Sequence, residues 1–328
     1  MIGWALERDL ERSWEAARAT RARIARYVRH TPLVELDPAS RQSRAARMLK
    51  LETLQRTGSF KIRGAAAAVT AGSSPVEIVA ASTGNHGLAV AALAESLGVR
   101  CRIFVPATAA PAKLARLRAT GVELVEQDGD PLRAELAARA FAESSGALLV
   151  APYNDPQVIL GAASVGLELL EDLPEPPDGL FVAVGGGGLI SGVALAVRTR
   201  WPRCTIVGCL PEASPAMRDA VAAGHVVDSP VLPTLADATA GNIEEGSITV
   251  AICAALVDRF ELISEAEIAA AMRAALLEHH LVIEGAAALA LAASLRSSDF
   301  DRHVVVLSGA SVGVQTLRAI LGAPKVGG

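Results

Sequence analysis

Residues 78–106 read IVAASTGNHGLAVAALAESLGVRCRIFVP, and this stretch decides the fold. A short apolar run is followed by a polar turn, an Ala-rich stretch of helical length, a glycine and a second apolar run. Apolar strands joined by a crossover helix are typical of a parallel sheet, which is covered on both faces. The segment therefore predicts a strand, a helix and a second strand of one parallel sheet.

The same alternation continues along the chain. Strands are also predicted at 48–52, 122–125, 148–151, 180–184, 205–210 and 303–307. Helices are also predicted at 5–27, 111–119, 132–144, 157–170, 189–198, 265–278, 285–293 and 314–321. We expect an α/β protein of two lobes, with mostly parallel sheets flanked by helices and a cleft at the carboxyl ends of the strands.

The chain has 328 residues, which is long for a single domain. Turn-forming residues at 72–75 (GSSP) mark the expected boundary between the lobes. We expect residues 1–70 together with 153–328 to form the large domain, and residues 71–152 to form the small domain.

Composition argues against several classes of partner. The formal net charge is −4 and no basic block stands out, so no nucleic acid is expected. Residues 179–197 carry no charge, but four consecutive glycines would break the continuous helix that a membrane requires. The four cysteines form no C-x-x-C pair and lie in or beside apolar runs, which favours buried thiols and a cytoplasmic location.

Lysine is rare in this chain, and one of its four lysines lies in a distinctive turn. Residues 57–61 read TGSFK, a Gly-Ser turn that opens a helix running to Val69. A lysine there can point into a cleft, where desolvation lowers its pKa and supplies the neutral amine that imine chemistry needs. A solvated lysine at a helix start is the alternative, and the pentapeptide alone does not decide between them.

Two more turns lie between predicted strands and helices and suit anions. Residues 82–87 read STGNHG, whose backbone N–H groups suit a substrate carboxylate, while Asn85 can bond a ligand hydroxyl. Residues 185–188 are four glycines, which let backbone N–H groups converge on a phosphate. Ser191 stands where a dinucleotide fingerprint has its third glycine, so a phosphate monoester is the better ligand. A capping turn and a packing loop are the alternatives.

Residues 309–313 read GASVG and match the G-x-S-x-G turn of a serine hydrolase, with Ser311 as nucleophile. In that class an acid and a histidine follow the serine, whereas no Asp, Glu or His follows Ser311. A hydrolase is therefore the lesser hypothesis. Ser308, at the end of the preceding strand, would face the expected cleft.

Taken together, these motifs resemble the fold-type II pyridoxal-phosphate enzymes, in the serine/threonine dehydratase and serine racemase branch. The matching segments occur in the family's order and read TPL (31–33), LETLQ (51–55), TGSFK (57–61), STGNHG (82–87), GGGG (185–188) and SG (308–309). The resemblance implies a two-lobed fold like that of the tryptophan synthase β chain. It also implies pyridoxal 5'-phosphate bound by the large domain, a small amino-acid substrate and a homodimer.

The resemblance implies a role for each motif residue. Lys61 would bind the cofactor as a Schiff base and act as the catalytic base at the substrate Cα. Phe60 would lie beside the cofactor ring, Asn85 would bond its hydroxyl, and Ser308 would bond its ring nitrogen. The cofactor phosphate would be bound by Gly185, Gly186, Gly187 and Gly188, and the substrate by Ser82, Thr83, Gly84, Asn85 and His86.

The implied reaction is β-elimination of a 3-hydroxy amino acid such as threonine or serine, giving a 2-oxo acid and ammonia. A neutral Ser308 hydroxyl makes the ring a weaker electron sink than a carboxylate would, which suits elimination. Racemases of this branch have a serine where this chain has Thr83, so racemisation is the lesser alternative. Segments 242–246 and 281–285 are similar to dehydratases of hydroxyectoine-derived compounds and of phenylserine.

Some relatives bind a divalent cation through acids, but an ungapped alignment places Pro211 and Met217 at two ligand positions and leaves only Glu212. We therefore expect no metal of that type. The chain ends soon after its last predicted helix, without room for a regulatory domain, which favours a catabolic or specialised role. A non-catalytic relative on the same fold is a further hypothesis, and it predicts no release of 2-oxo acid.

Overall fold

The computed structural model describes residues 5–36, 46–129 and 131–322. The strands in these ranges are Leu33–Leu36 (β1), Ala46–Leu51 (β2), Glu77–Ala81 (β3), Arg100–Pro106 (β4), Glu123–Gln127 (β5), Leu148–Leu149 (β6), Gly179–Ala183 (β7), Thr205–Pro211 (β8), Arg259–Ile263 (β9) and Arg302–Leu307 (β10). The α-helices are Leu10–Ile24 (α1), Lys61–Val69 (α2), Asn85–Leu97 (α3), Pro111–Arg118 (α4), Pro131–Ser145 (α5), Pro156–Asp172 (α6), Gly188–Arg200 (α7), Ala216–Ala223 (α8), Ile248–Leu256 (α9), Glu265–Leu277 (α10), Gly285–Arg296 (α11) and Val314–Gly322 (α12).

The strands form two sheets. The larger sheet has the order β1-β2-β10-β7-β8-β9, and the smaller has the order β5-β4-β3-β6. β1 pairs antiparallel with β2, whereas the other adjacent pairs of described strands are parallel. Since β2, β10 and β7 are parallel neighbours, the segments that follow them meet at one edge of the larger sheet, which is where ligands bind in such folds.

Local signals account for where the helices begin and end. The carboxylate of Asp155 accepts hydrogen bonds from Gln157 N at 2.6 Å and Val158 N at 3.1 Å, which caps the start of α6. Pro156 occupies the first turn of that helix, where its missing N–H costs nothing. α3 ends at Gly98, whose φ of +66° lies in the left-handed region that glycine adopts without a steric penalty.

Glycine residues let the central helices approach closely. Aromatic residues make up only 3% of the chain, so small side chains supply much of the packing. A Cβ atom at Gly161 of α6 would lie 2.4 Å from the carbonyl oxygen of Arg63 in α2. A Cβ atom at Gly192 of α7 would lie 2.3 Å from the carbonyl oxygen of Ile159 in α6. Only glycine fits at both contacts, so α2, which begins at Lys61, packs directly against α6.

The predicted α/β architecture, with mostly parallel sheets flanked by helices, is confirmed. The sequence patterns do not predict β1, β9, α8 or α9. The predicted helix at 5–27 is wrong in its bounds, because a short 3-10 turn, Leu6–Arg8, precedes the shorter α1. The uncharged stretch 179–197 divides into β7, the glycines and most of α7, and no helix among the described residues is long and apolar enough to cross a bilayer.

Candidate active site

The turn before Lys61 is joined by backbone hydrogen bonds to the segment that follows β10. Phe60 N donates to the carbonyl oxygen of Ser308 at 3.0 Å, and Ala310 N donates to that of Gly58 at 2.9 Å. Gly58 has a φ of +75°, which fits the tight turn. The structure therefore brings together Phe60, Lys61 and Ser308, which the sequence predicts to share one site.

The Lys61 side chain is half-buried, and its amine donates a hydrogen bond to the carbonyl oxygen of Pro152 at 2.8 Å. The amine lies 5.2 Å from the centre of the Phe60 ring. Burial lowers the pKa of Lys61 to about 8, and the negative charge of Glu284 opposes part of that shift. An ordinary lysine has a pKa of about 10.4, so Lys61 has a much larger neutral fraction at neutral pH.

Residues 185–188, named here the glycine loop, connect β7 to the N-terminus of α7, as the sequence predicts. Gly187 has a φ of +84°, and a Cβ atom at Gly186 would lie 2.4 Å from the ring of Tyr153. The carbonyl oxygen of Gly186 accepts a hydrogen bond from Thr249 Oγ1 at 2.8 Å. A loop without side chains at a helix N-terminus is the arrangement that proteins use to bind phosphate.

Tyr153 packs against the glycine loop and links it to the lysine. A Cβ atom at Gly188 would lie 3.0 Å from the Tyr153 side chain, and Pro152, the preceding residue, accepts the hydrogen bond from Lys61. The Tyr153 hydroxyl accepts a hydrogen bond from Glu244 N at 2.8 Å. Burial raises the pKa of Tyr153 to about 12, so its hydroxyl stays neutral and adds no negative charge beside a bound phosphate.

The predicted carboxylate-binding turn connects β3 to the N-terminus of α3. Ser82 Oγ accepts a hydrogen bond from Gly84 N at 3.1 Å. The His86 ring is buried, with Nε2 2.8 Å from the carbonyl oxygen of Val150. Burial and the positive charge of Lys61 lower the pKa of His86 to about 3, so the ring is neutral. Since its ring is bonded inside the protein, His86 would meet a substrate through its backbone.

The amide of Asn85 is bonded to a buried carboxylate that the sequence motifs do not single out. Asn85 Nδ2 donates to the two carboxylate oxygens of Glu284 at 2.9 and 3.0 Å. Glu284 also accepts from Ser311 N at 2.9 Å, and its own N–H donates to the carbonyl oxygen of Gly309 at 3.1 Å. Burial raises the pKa of Glu284 despite these bonds. One side chain thus joins α3 to the segment after β10.

A known enzyme family matches the same segments. The sequence profile described as "Pyridoxal-phosphate dependent enzyme" matches residues 24–309, which is most of the chain. The chain belongs to this family. Its cofactor is pyridoxal phosphate, as the sequence predicts, and the motif order reflects common descent rather than chance.

This pyridoxal-phosphate enzyme is similar to threonine and serine enzymes over most of its length. It is 38% identical over 307 residues to the L-threonine ammonia-lyase of Geobacter sulfurreducens. That alignment covers 91% of this chain and 75% of the relative. The structure of maize serine racemase matches with a TM-score of 0.87 at 30% identity, covering 94% of this chain and 96% of the other. The threonine deaminase of T.th. matches with a TM-score of 0.86 at 33% identity, covering 91% and 98%. The predicted resemblance to the dehydratase and racemase branch is confirmed.

The residues present fit pyridoxal phosphate. The buried hydroxyls of Thr57 and Ser59 and the carbonyl oxygen of the Asn85 amide have no hydrogen-bond partner within the described part of the chain. Buried polar atoms are normally paired, so three unpaired atoms around the Lys61 turn indicate that a polar ligand belongs there. The glycine loop offers a phosphate site, and Lys61 offers an amine of lowered pKa.

Tyr153, Thr249 and Glu284 take part in this site, although the motifs do not single them out. Tyr153 follows a predicted strand, and its position at a strand end is a signal that sequence reasoning can use. Glu284 lies in segment 281–285, which is similar to dehydratases, but neither that similarity nor its place one residue before an Ala-rich helix assigns it a role. Ser311, the nucleophile of the hydrolase alternative, accepts a hydrogen bond from Arg116 Nη2 at 3.3 Å, which gives that alternative no support.

Proposed function

We propose that this enzyme is an ammonia-lyase that eliminates water from a 3-hydroxy amino acid, with threonine as the first candidate, and yields a 2-oxo acid and ammonia. The principal support is the Lys61 amine, whose pKa burial lowers to about 8. Lys61 is linked through Pro152 and Tyr153 to the glycine loop, and Phe60 bonds Ser308. The 38% identity to an L-threonine ammonia-lyase supports the substrate class.

Pyridoxal phosphate, when bound, supplies an electron sink for the electron pair left when the substrate Cα loses a proton. In our proposal Lys61 holds the cofactor covalently, and its free amine then takes the Cα proton. A neutral amine is required for both tasks, and burial increases the neutral fraction of Lys61 by lowering its pKa to about 8. The Cβ–O bond would break and the hydroxyl would leave as water, its added proton balanced by the one that Lys61 takes from Cα. Hydrolysis of the released product would give the 2-oxo acid and ammonia.

The remaining residues of the site would bind and orient. Phe60 would lie beside the cofactor ring, Ser308 would face its nitrogen, and the glycine loop would bind its phosphate. Asn85 would bond the ring hydroxyl, and its hydrogen bonds to Glu284 fix the amide for that purpose. The turn formed by Ser82, Thr83 and Gly84, with the first residues of α3, would bind the substrate carboxylate.

Racemisation of a small amino acid is the second candidate activity, since the structural similarity to maize serine racemase favours it. Thr83 opposes it, because its extra methyl group crowds the position of the serine hydroxyl that racemases of this branch use. A bulkier substrate, such as phenylserine or a hydroxyectoine-derived compound, is the alternative within dehydration.

We also propose that residues 1–70 with 153–328 form the cofactor-binding domain, that residues 71–152 form the small domain, and that the enzyme acts as a cytoplasmic homodimer. The division follows the two sheets, since the smaller one is built from segments between residues 77 and 149. The four buried cysteines are unbridged, which agrees with a reducing compartment.

A substrate panel tests the proposal. The purified enzyme is incubated with pyridoxal phosphate and with threonine, serine, phenylserine or a hydroxyectoine-derived amino acid, and ammonia, 2-oxo acid and substrate chirality are measured. Borohydride reduction and peptide mass spectrometry then locate the cofactor. We expect oxo-acid release from threonine, cofactor on Lys61, and an activity loss of at least about a thousandfold in Lys61→Ala.

Lys113→Ala is the matched control, because Lys113 is an exposed lysine whose amine pairs with the exposed Asp237. It should keep the cofactor and the activity. Cofactor trapped on another residue in Lys61→Ala would refute the role of Lys61. Release of no oxo acid from any substrate would refute the lyase proposal, and inversion of serine without ammonia would favour the racemase.

A further inference from the structure

The segment 244–249 contacts the glycine loop through Thr249. Thr249 Oγ1 donates to the carbonyl oxygen of Gly186 at 2.8 Å. In the same segment, Ile248 N donates to Asn154 Oδ1 at 3.1 Å. The segment is therefore hydrogen-bonded both to the glycine loop and to Asn154, the neighbour of Tyr153.

Glu244 begins this segment and is bonded through three of its polar atoms. Its Oε1 accepts from Arg139 Nη2 at 2.5 Å, and its Oε2 accepts from Asn154 Nδ2 at 3.0 Å. Its backbone N–H donates to the hydroxyl of Tyr153 at 2.8 Å. Because Tyr153 packs against Gly186, a shift of Glu244 would be transmitted to the glycine loop through direct contacts.

Arg139 lies on α5, which packs against the smaller sheet through Ala134 and Ala138. The Arg139–Glu244 pair therefore joins the smaller sheet to the glycine loop, which follows a strand of the larger sheet. Lys113 and Asp237 form a second charged link between α4 and the loop after α8, with Nζ 2.6 Å from Oδ2. Asp237 lies two residues before Thr239, which packs against Gly185, so this second link also reaches the glycine loop.

We propose that Glu244 is a positioning residue for the phosphate of the cofactor, acting through Tyr153 and held in place by Arg139. The inference rests on the proposed function, since it takes the glycine loop as the phosphate site. Both side chains are partly buried, at 34% exposure for Arg139 and 30% for Glu244. Arg139 also bonds Glu135 at 2.8 Å, which fixes the guanidinium on α5.

If Glu244 acted only through its charge, Glu244→Gln would have a different effect on phosphate binding than if Glu244 acts by positioning Tyr153. Glu244 is negative, as is the phosphate, so Glu244→Gln would strengthen phosphate binding if only the field of the carboxylate mattered. Arg139→Met would weaken it on the same ground. If Glu244 acts by position, both variants weaken phosphate binding, because each loosens the contact between α5 and the segment over the glycine loop.

The test is the affinity of the cofactor-free enzyme for pyridoxal phosphate and for pyridoxal, measured by equilibrium dialysis. We expect Glu244→Gln and Arg139→Met each to raise the dissociation constant of pyridoxal phosphate about fivefold, as the loss of a partly buried ion pair would. The dissociation constant of pyridoxal, which has no phosphate, should stay within about twofold of wild type. The double variant should be no worse than the poorer single variant, because both act on one link.

Arg118→Met is the control, since it breaks the exposed ion pair between Arg118 and Glu126 and should leave both constants unchanged. Tighter binding in Glu244→Gln would overturn the proposal in favour of charge. The proposal would also be overturned if the variants bound pyridoxal phosphate and pyridoxal equally more weakly than wild type. An unchanged affinity of Arg139→Met for pyridoxal phosphate would overturn it as well. A wild-type enzyme that fails to bind pyridoxal phosphate would instead refute the proposed function.

Discussion

At the scale of single residues, the site depends on how burial and one carboxylate set the protonation of Lys61. Burial lowers the pKa of that amine to about 8, and the charge of Glu284 raises it part of the way back. Glu284 is itself buried, and burial raises its own pKa. Burial thus disfavours the charged form of both groups, while the hydrogen bonds from Asn85 and Ser311 offset part of that effect on Glu284.

Glu284→Gln should lower the pKa of Lys61 below about 8, because it removes the negative charge that favours the ammonium form. The measurement is the rate at which an acylating reagent modifies Lys61 in the cofactor-free enzyme, followed by peptide mass spectrometry from pH 6 to pH 10. The rate should rise with pH with a midpoint near 8 in wild type and at lower pH in the variant. Glu278→Gln, on the surface, is the control, and an unchanged or higher midpoint in Glu284→Gln would contradict the effect.

Lys61 could be predicted from the sequence, whereas Glu284 could not, and the difference is physical. Lys61 follows a Gly-Ser turn and opens a helix, which is compatible with a lysine in a cleft, and the other motifs in the family's order favour that interpretation. Glu284 acquires its role from Asn85, which lies 199 residues away in the chain. Such a contact depends on how two sheets come together, and no pattern within one segment reports it.

At the scale of elements, the loops after strands were predictable and the edge strands of the larger sheet were not. β1 and β9 are the two edge strands of the larger sheet, and β9 (RFELI) alternates charged and apolar residues over only five positions. α9 (ITVAICAAL) is apolar throughout, which does not distinguish a buried helix from a strand. Pairing with a neighbour decides such segments, so their type is fixed by tertiary context. The glycine loop needs no such context, because four glycines between a strand and a helix have few other uses.

Gly186→Ala should weaken binding of pyridoxal phosphate, because its Cβ atom would lie 2.4 Å from the Tyr153 ring and would push the loop or the ring aside. Overpacking of this kind costs about 1–3 kcal/mol, so the dissociation constant should rise about fivefold to a hundredfold. Equilibrium dialysis measures it. Gly72→Ala is the control, since nothing lies within 4 Å of a Cβ atom there. Wild-type affinity in Gly186→Ala would show that the glycine loop does not need its present position.

At the scale of the whole molecule, a buried ion network holds α2 in place behind the active site. The Arg63 side chain is fully buried, with Nε 2.7 Å from Glu52 Oε2 and Nη1 2.6 Å from Glu168 Oε1. Lys50, also fully buried, lies 2.9 Å from Glu168 Oε2 and 2.9 Å from Asp172 Oδ2. Since Arg63 is two residues after Lys61, the network links the first turn of α2 to α6 and β2. The network therefore holds the turn of α2 that begins at Lys61.

Arg63→Met should destabilise the protein by about 3–5 kcal/mol at neutral pH, because it leaves the carboxylates of Glu52 and Glu168 buried without their main partner. Burial tends to raise the pKa of Glu168, but the charges of Arg63 and Lys50 outweigh it and lower that pKa. Glu168 therefore adds stability above its unfolded pKa of about 4.3 and loses it as pH falls further. Without Arg63 that contribution disappears. The difference in free energy of unfolding between wild type and Arg63→Met should therefore become smaller in acid.

Urea denaturation from pH 3 to pH 8, followed by circular dichroism, measures both effects. Arg18→Met is the matched control, since Arg18 meets Glu15 at 3.5 Å on the surface and its loss should cost less than about 1 kcal/mol. A deficit in Arg63→Met no larger than that of the control would mean that close packing of α2 against α6 holds the helix without the ion network. A deficit that widens in acid would mean that the carboxylates find other cations, of which Lys50 is the nearest to Glu168.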